Sequence, residues 1–443
     1  MGAARMSRLV KHVVTTKGWL RTVQRSGQIV SRFTLGRQRF AAMIASLEHD
    51  VPAPLLKITF CVTARLLGQH AGLIRRLQSH GHELAAHGYF HTDMTQKSRA
   101  EQDQILMDTY RAFEDHDLRV TGFRCPYLSY NQDTVDALKA SRFVYSSHEM
   151  VLWQDIVAPH AADEAFVSRL WELYHVVPAE HVPTRPRMLD GLVEIPLTGP
   201  DDEMLFDRCG VRDPQTLTDV WSKVFERCHA RGDLFHLLFH PERFAYLKGT
   251  LYQLALRAKA EPDPVWLCSL SDLAQWWSER ARARWVFEKT ASGDYQAWIR
   301  VPSGGTVVRS ESEPSSTRPI YGSSVEAIPI ARRGDSVAFD GGRSRKQMIG
   351  LSDHCDPRLA EFLTEEGYPV ERSDRPDLYS MYLDGDGNFR ENDRVPLLEQ
   401  IEQCRNPILR LWRWPFHARS AFTVSSDVDS ISLGDFVQRA IHF

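Results

Sequence analysis

From about residue 37 to residue 280, short β-branched and aromatic runs alternate with helical patterns: ITFCVTA, GLIRRLQSHG, the stretch around DQILMDTYRAFEDH, VTGFRCPY, TVDALKAS and FVYSS. Such alternation predicts a parallel sheet or barrel with helices packed against it. GLVEIPLTG and GDLFHLLFHPERF read as later strands of the same unit, and VWLCSLSDLAQWWSERARARW closes it with a strand and a helix. Between about 285 and 348 the texture changes to alternating strands, YQAWIRV, GTVVRS, VEAIPIA and SVAFD, separated by Gly, Ser and Pro clusters. This pattern predicts a small β-rich module. Beyond it, DPRLAEFLTEEGY and VPLLEQIEQCRNPILRLW read as amphipathic helices, and the chain ends with an isolated strand, SAFTVSSDVD, and a short helix, LGDFVQRAIHF. A strand without sequence neighbours must find its partner elsewhere.

A chain of 443 residues has room for two or three domains and for a buried site. The patterns divide it into a basic helical arm (1–36), a main barrel (37–284), the β-rich module (285–348) and a helical segment with a returning strand (349–443). A formal net charge of -3 gives no global attraction to nucleic acid. The seven cysteines are scattered and never in Cys-x-x-Cys spacing, which favours reduced thiols. There is neither a signal-peptide core nor a run near the ~20 apolar residues of a membrane span, so the expected location is cytoplasmic. Residues 1–47 nevertheless carry nine Lys or Arg and no acid. Interleaved with Leu9, Val10, Val13, Val14, Leu20 and Val23, these charges suit either a peripheral contact with an anionic membrane or lipid-linked substrate, or a solvated helix packed on its own domain.

His87 and His91 stand four apart in GHELAAHGYFH, so on a helical turn both rings could reach one ion. His87 is followed by Gly88, not by the Glu of the zinc-protease pattern, so a base must come from elsewhere. His236 and His240 share the spacing but lie in the apolar strand LFHLLFH, where four residues span about 13 Å and cannot share an ion. Pro241 marks the strand end; His240 is therefore expected exposed at a site, and His236 as a partnered core histidine.

The order KITFCVTA, GHELAAHGYFH, GFRCPY, LLFHPER resembles the polysaccharide-deacetylase (NodB-homology) domain over roughly residues 37–280. The resemblance implies a distorted (β/α) barrel binding a divalent metal, usually zinc, with catalytic groups at the carboxyl ends of its strands. It makes His87 and His91 metal ligands and Arg124 the partner of the catalytic carboxylate. Tyr127 supplies an oxyanion-stabilising N–H, and His240 is the general acid. The family's first motif, an acidic pair on the strand before these, is absent: residues 26–56 hold only Glu48 and Asp50 as acids. The terminal strand AFTVSSDVDS fits the gap, with Asp427 as base and Asp429 as third ligand, in a circularly permuted chain whose first strand arrives last. Asp201 and Asp202 stand where the family places an acid that orients the late histidine. The run DGDGNF is no calcium loop, because Phe389 and Val395 occupy the positions that need Gly and Glu.

The implied activity is metal-dependent hydrolysis of an amide C–N bond, most simply deacetylation of an N-acetylated sugar or glycan precursor. Deformylation or other C–N hydrolysis on the same fold is the enzymatic alternative, and a carbohydrate-binding or scaffold protein that has lost catalysis is the non-enzymatic one. The β-rich module reads as a glycan-binding appendage or as a spacer for the returning strand.

Overall fold

A computed structural model describes residues 53–161, 176–310 and 324–429 apart from 386, with scattered positions between 42 and 50. The basic arm (1–36) and the terminal LGDFVQRAIHF lie outside the described residues. The main sheet has nine strands: β1 (Ile58–Val62), β2 (Glu83–Ala86), β3 (Gly122–Phe123), β4 (Tyr145–Ser146), β5 (Arg187–Leu189), β6 (Leu192–Glu194), β7 (Leu234–Phe239), β8 (Val265–Leu267) and β9 (Ser420–Val428). Their order is β7-β9-β1-β2-β3-β4-β6-β5, with β8 also paired to β9. Every pairing is parallel except the β5–β6 hairpin. This is the distorted (β/α) barrel that the resemblance implies, curled but not closed by a continuous ladder.

The isolated terminal strand finds its partners in the middle of this sheet. β9 pairs with β7 along one edge, Ala421 to Ser426. Along the other edge it pairs with β8 at Ser420–Phe422 and with β1 at Val424–Val428. All nine of its residues are buried, as expected for a strand flanked on both sides, and small polar residues occupy positions that an outer strand would give to solvent. Between β6 and β7 the short strand Leu197–Gly199 lies in a separate three-stranded sheet. Thr198 bridges the gap: its hydroxyl donates to Leu234 O (3.0 Å) and accepts from His236 N (3.0 Å).

Period-two alternation sorts the two faces of β1. Ile58, Phe60 and Val62 pack with Leu67, Ile74 and Leu77 of helix α1 (Leu67–Ser79) and with Phe113 of α2 (Arg99–Glu114). Thr59 and Cys61 face the other way, where Glu83 accepts from Thr59 Oγ1 (2.7 Å) and Tyr145 Oη (2.6 Å). Helix starts are set locally: Ser98 and Glu101 form a reciprocal capping box at α2.

The chain between β8 and β9 builds further units. Trp285–Lys289, Tyr295–Arg300, Ala331–Arg333 and Ser336–Gly342 form an antiparallel sheet, as the alternation predicts. The expected module boundary at 348 falls inside a strand, Lys346–Leu351, which pairs in parallel with Val370–Arg372 and Tyr379–Leu383. The latter two strands escape the sequence pattern because each is short and half-exposed. The predicted helix VPLLEQIEQCRNPILRLW covers only Arg394–Glu402; Leu409–Leu411 is instead a strand, paired with Val307–Ser310. Pro407 marks the break, since proline cannot donate to a helix interior.

Candidate active site

Parallel strands deliver their carboxyl ends to one side of a sheet, and the residues singled out in the sequence converge there. Asp427 sits on β9 opposite Cys61 of β1, and Asp429 follows at the strand's end. Odd-numbered residues of β9 share a face, so Ser425, Asp427 and Asp429 point the same way. His87 leaves the end of β2, with its N–H bonded to Val62 O (3.0 Å).

His87 and His91 do not lie on a helical turn. The segment from 87 to 92 is an irregular loop, reversed at Gly88 with φ 76°. A Cβ on Gly88 would meet Phe90 O at 2.8 Å, so the turn that brings His91 back beside His87 requires glycine. The four-residue spacing thus picks out two histidines that do meet, through a loop and not through a helical turn. The two rings stand 5.1 Å apart, both buried.

Asp429 Oδ1 lies 3.3 Å from His87 Nε2 and 3.4 Å from His91 Nε2. The three ligand atoms lie within 4.8 Å of one another. Two ligands bound at ~2.0–2.1 Å in tetrahedral geometry are about 3.3 Å apart, so these separations suit one zinc-sized ion, and two imidazoles with a carboxylate are a donor set that such an ion takes. His87 Nδ1 faces the carbonyl of Arg124 at 2.9 Å, which fixes the proton there and leaves Nε2 with its lone pair toward Asp429.

Asp427 Oδ2 approaches His87 Nε2 at 3.9 Å, while its Oδ1 accepts from Arg124 Nη1 at 3.0 Å. Arg124 is fully buried and reaches Asp427 from the end of β3. The same loop turns at Tyr127, which adopts φ 62°, an uncommon conformation for a residue with a Cβ, and its ring stands edge-on to His91 at 4.3 Å.

His240, at the end of β7, is only 8% exposed, less open than its place beside Pro241 suggests. The reason is Asp202, which accepts from His240 N (2.8 Å), lies 2.8 Å from its Nδ1 and accepts from Arg243 Nη1 (3.0 Å). Burial alone would lower the His240 pKa, but the charge and hydrogen bond of Asp202 hold it well above the ordinary value. Burial opposes the charge of Asp202, yet Arg243 and His240 keep it ionised. The contact with Asp202 thus favours the charged form of His240. Of the acidic pair, Asp202 alone holds the histidine; Asp201 accepts from Met204 N (2.7 Å), and burial, with the neighbouring charge of Asp202, raises its pKa.

His236 is the partnered core histidine its strand position predicts, with Pro196 O, Ser425 Oγ and Arg124 Nη2 around its ring. Sequence reasoning missed Ser425, Arg243 and His148. Ser425 was legible as the residue two before Asp427 on the same strand face, and Arg243 as the third residue after His240. His148, whose Nδ1 accepts from Cys125 N (3.2 Å) behind the Arg124–Tyr127 turn, carried no signal.

Residues 53–145, which include His87, His91, Arg124 and Tyr127, match the family model for polysaccharide deacetylase. Over this segment the chain is similar to the polysaccharide deacetylase family. A peptidoglycan deacetylase-like protein of Gibberella zeae is 26% identical over 167 residues, which cover 34% of this chain and 49% of that one. The match thus spans about half the length of that relative. Among solved structures, a polysaccharide-deacetylase-type protein of Mycobacterium smegmatis is 20% identical, with 60% of this chain and 86% of that one covered and a TM-score of 0.41. Puue allantoinase is 17% identical over 56% of this chain and 76% of its own, with a TM-score of 0.43. The seven cysteines are all unpaired thiols, and among the described residues no helix is long and apolar enough to cross a membrane.

Proposed function

We propose that this deacetylase-like chain hydrolyses an amide C–N bond in an N-acetylated sugar or glycan precursor, using a divalent ion, zinc by its donor set, held by His87, His91 and Asp429. One observation carries the reading: a carboxylate 338 positions beyond His91 presents one oxygen at 3.3 and 3.4 Å to both imidazoles of the pair. The position of β9 between β7 and β1 supports a circular permutation in which the family's first strand is the last of the chain.

When bound, the ion supplies Lewis acidity toward the carbonyl and makes water a stronger acid. Asp427 is the base that takes the proton from the attacking water, and Arg124 keeps its carboxylate turned toward the site through the 3.0 Å bond to Oδ1. The N–H of Tyr127, held by the φ 62° turn, donates to the oxyanion of the tetrahedral intermediate. His240, charged by its contact with Asp202, passes its proton to the departing amine.

The test is turnover by zinc-loaded protein of an N-acetylated chito-oligosaccharide and its N-formylated counterpart, with acetate and formate measured side by side. Acetate release abolished in Asp427→Asn supports the assignment. Wild-type turnover in Asp427→Asn defeats it, and formate from the N-formylated probe without acetate from the N-acetylated one moves the reading to another acyl substrate.

A further inference from the structure

Beneath Asp427, the interior of the sheet holds a hydrogen-bond chain whose directions are fixed by the chemistry of its two ends. Pro196 offers only a carbonyl oxygen, 3.0 Å from His236 Nδ1, so Nδ1 carries the proton. Arg124 has donors only, and its Nη1 lies 2.8 Å from Ser425 Oγ, so that oxygen accepts. Ser425 must then send its own proton elsewhere, and His236 Nε2 lies 2.8 Å away with its lone pair free of the Nδ1 proton.

The guanidinium closes the same account from its side. Its five N–H groups meet five acceptors. Nε donates to Ser147 O (3.0 Å) and Nη1 to Ser425 Oγ and Asp427 Oδ1 (3.0 Å). Nη2 donates to Ser147 Oγ (2.7 Å) and faces His236 Nε2 (3.3 Å). His236 Nε2 thus shares its one lone pair between the Ser425 hydroxyl at 2.8 Å and, more weakly, Arg124 Nη2 at 3.3 Å. An imidazolium here would set an N–H against both donors inside a buried cluster, and burial with the Arg124 charge holds the His236 pKa well below the ordinary value.

We infer that His236 is a positioning residue: a neutral acceptor that, together with Ser425, sets the Arg124 guanidinium square to Asp427. The inference rests on Asp427 serving as the base. His236 lies four residues before His240 on β7, and its Nδ1 partner Pro196 stands shortly before Asp202. The same ring therefore ties the carboxylate that accepts a proton to the strand pair that presents the proton donor.

The experiment uses the full chain loaded with zinc and a chitin oligosaccharide as probe, with acetate release as the readout. His236→Leu and Ser425→Ala should each lower kcat about 10- to 100-fold, the scale of losing a hydrogen bond to a charged group, while KM and zinc content stay near wild type. His236→Gln, whose Oε1 can stand in for Nε2, should recover most of that loss. A loss carried by KM or zinc content, a kcat within twofold of wild type in His236→Leu, or no recovery with Gln would each overturn the inference. A second readout needs no turnover: nitrogen-15 spectra of wild-type protein should show His236 protonated at Nδ1 and bare at Nε2, with the Arg124 Nη signals resolved by restricted rotation. A proton on Nε2, or a freely rotating Arg124, sinks the positioning role. Ordered Arg124 in a wild-type protein that releases no acetate would count instead against the proposed hydrolysis.

Discussion

The barrel carries two buried polar clusters, one at each end of its strands, and they are built on opposite principles. At the amino ends, Glu366 is enclosed by Arg185, Arg410 and Arg413, and Arg413 also donates to Asp233 (2.7 Å) at the start of β7. Every carboxylate there meets guanidinium donors at hydrogen-bonding distance, and despite complete burial Glu366 is held far below the usual carboxylate range by Arg413, Arg185 and Arg410. Arg280, which donates to the carbonyls of Trp412 and Leu411, is pulled down to about 9 by burial. At the carboxyl ends, Asp429 meets two imidazoles at 3.3 and 3.4 Å, longer than good hydrogen bonds and apt for a shared ion. The first cluster pairs its carboxylates with guanidinium groups of the same chain and ties the 346–411 region to the barrel. The second is arranged around something that must be added.

That contrast breaks most sharply under two substitutions. Asp429→Ala should reduce bound zinc from one per chain to near none and lower acetate release by roughly a thousandfold or more, while the metal-free protein unfolds at nearly the wild-type denaturant concentration. Full zinc occupancy in that variant would remove Asp429 from the ligand set. Glu366→Ala should do the reverse, costing about 3–5 kcal/mol in denaturant unfolding because three buried arginines lose their counter-charge, yet leaving zinc stoichiometry in the folded fraction unchanged. A loss under about 1 kcal/mol would mean that hydrophobic packing, not the ion cluster, joins the two regions.

The same contrast explains what could be read from sequence. The carboxyl-end site was legible because its chemistry needs rare residues in short motifs: two histidines, an Arg-x-Pro-Tyr turn and two acids closing an apolar strand. Even the absence of acids before ITFCVTA was informative, since the missing motif and the acids closing the terminal strand fit each other. The amino-end cluster was not legible. Glu365 and Glu366 look like the solvated end of a helix, Arg410 and Arg413 like a charged helix face, and only the return of the chain to β7 and β9 buries them. The parallel strands at 370–372 and 379–383 were lost for a different reason, being short and partly exposed.

His240 sharpens the comparison because its pairing with Asp202 and Arg243 resembles the carboxylate–guanidinium pairing of the amino end. His240→Gln should slow turnover about a hundredfold, the usual scale for losing a general acid. It should also change how stability responds to pH. The folded-state pKa of His240 lies well above its unfolded value of about 6.5, so its contribution is fully present below pH ~6.5 and is lost as pH rises through the folded value. Asp202 is depressed, so its contribution is present above about pH 4 and is lost as pH falls further. The gap in melting temperature between wild type and His240→Gln should therefore be widest from about pH 4 to 6.5 and close as the solution becomes alkaline. A gap that widens with rising pH would mean that His240 is neutral in the folded protein and cannot serve as the acid.

The smallest effect expected is at Tyr127, where stability and function should move in opposite directions. The residue holds φ 62° with a Cβ, a conformation that costs on the order of 1 kcal/mol and that glycine adopts freely. Tyr127→Gly removes that strain, but it also removes the ring standing edge-on to His91 at 4.3 Å and lets the N–H that faces the oxyanion wander. Thermal unfolding should show little change or a gain of up to about 1 kcal/mol, set against lost ring packing, while kcat falls by roughly tenfold at unchanged zinc content. If Tyr127→Gly instead destabilised the protein by several kcal/mol without slowing turnover, the turn would be part of the scaffold, and the oxyanion donor would have to be sought elsewhere along the 124–128 loop.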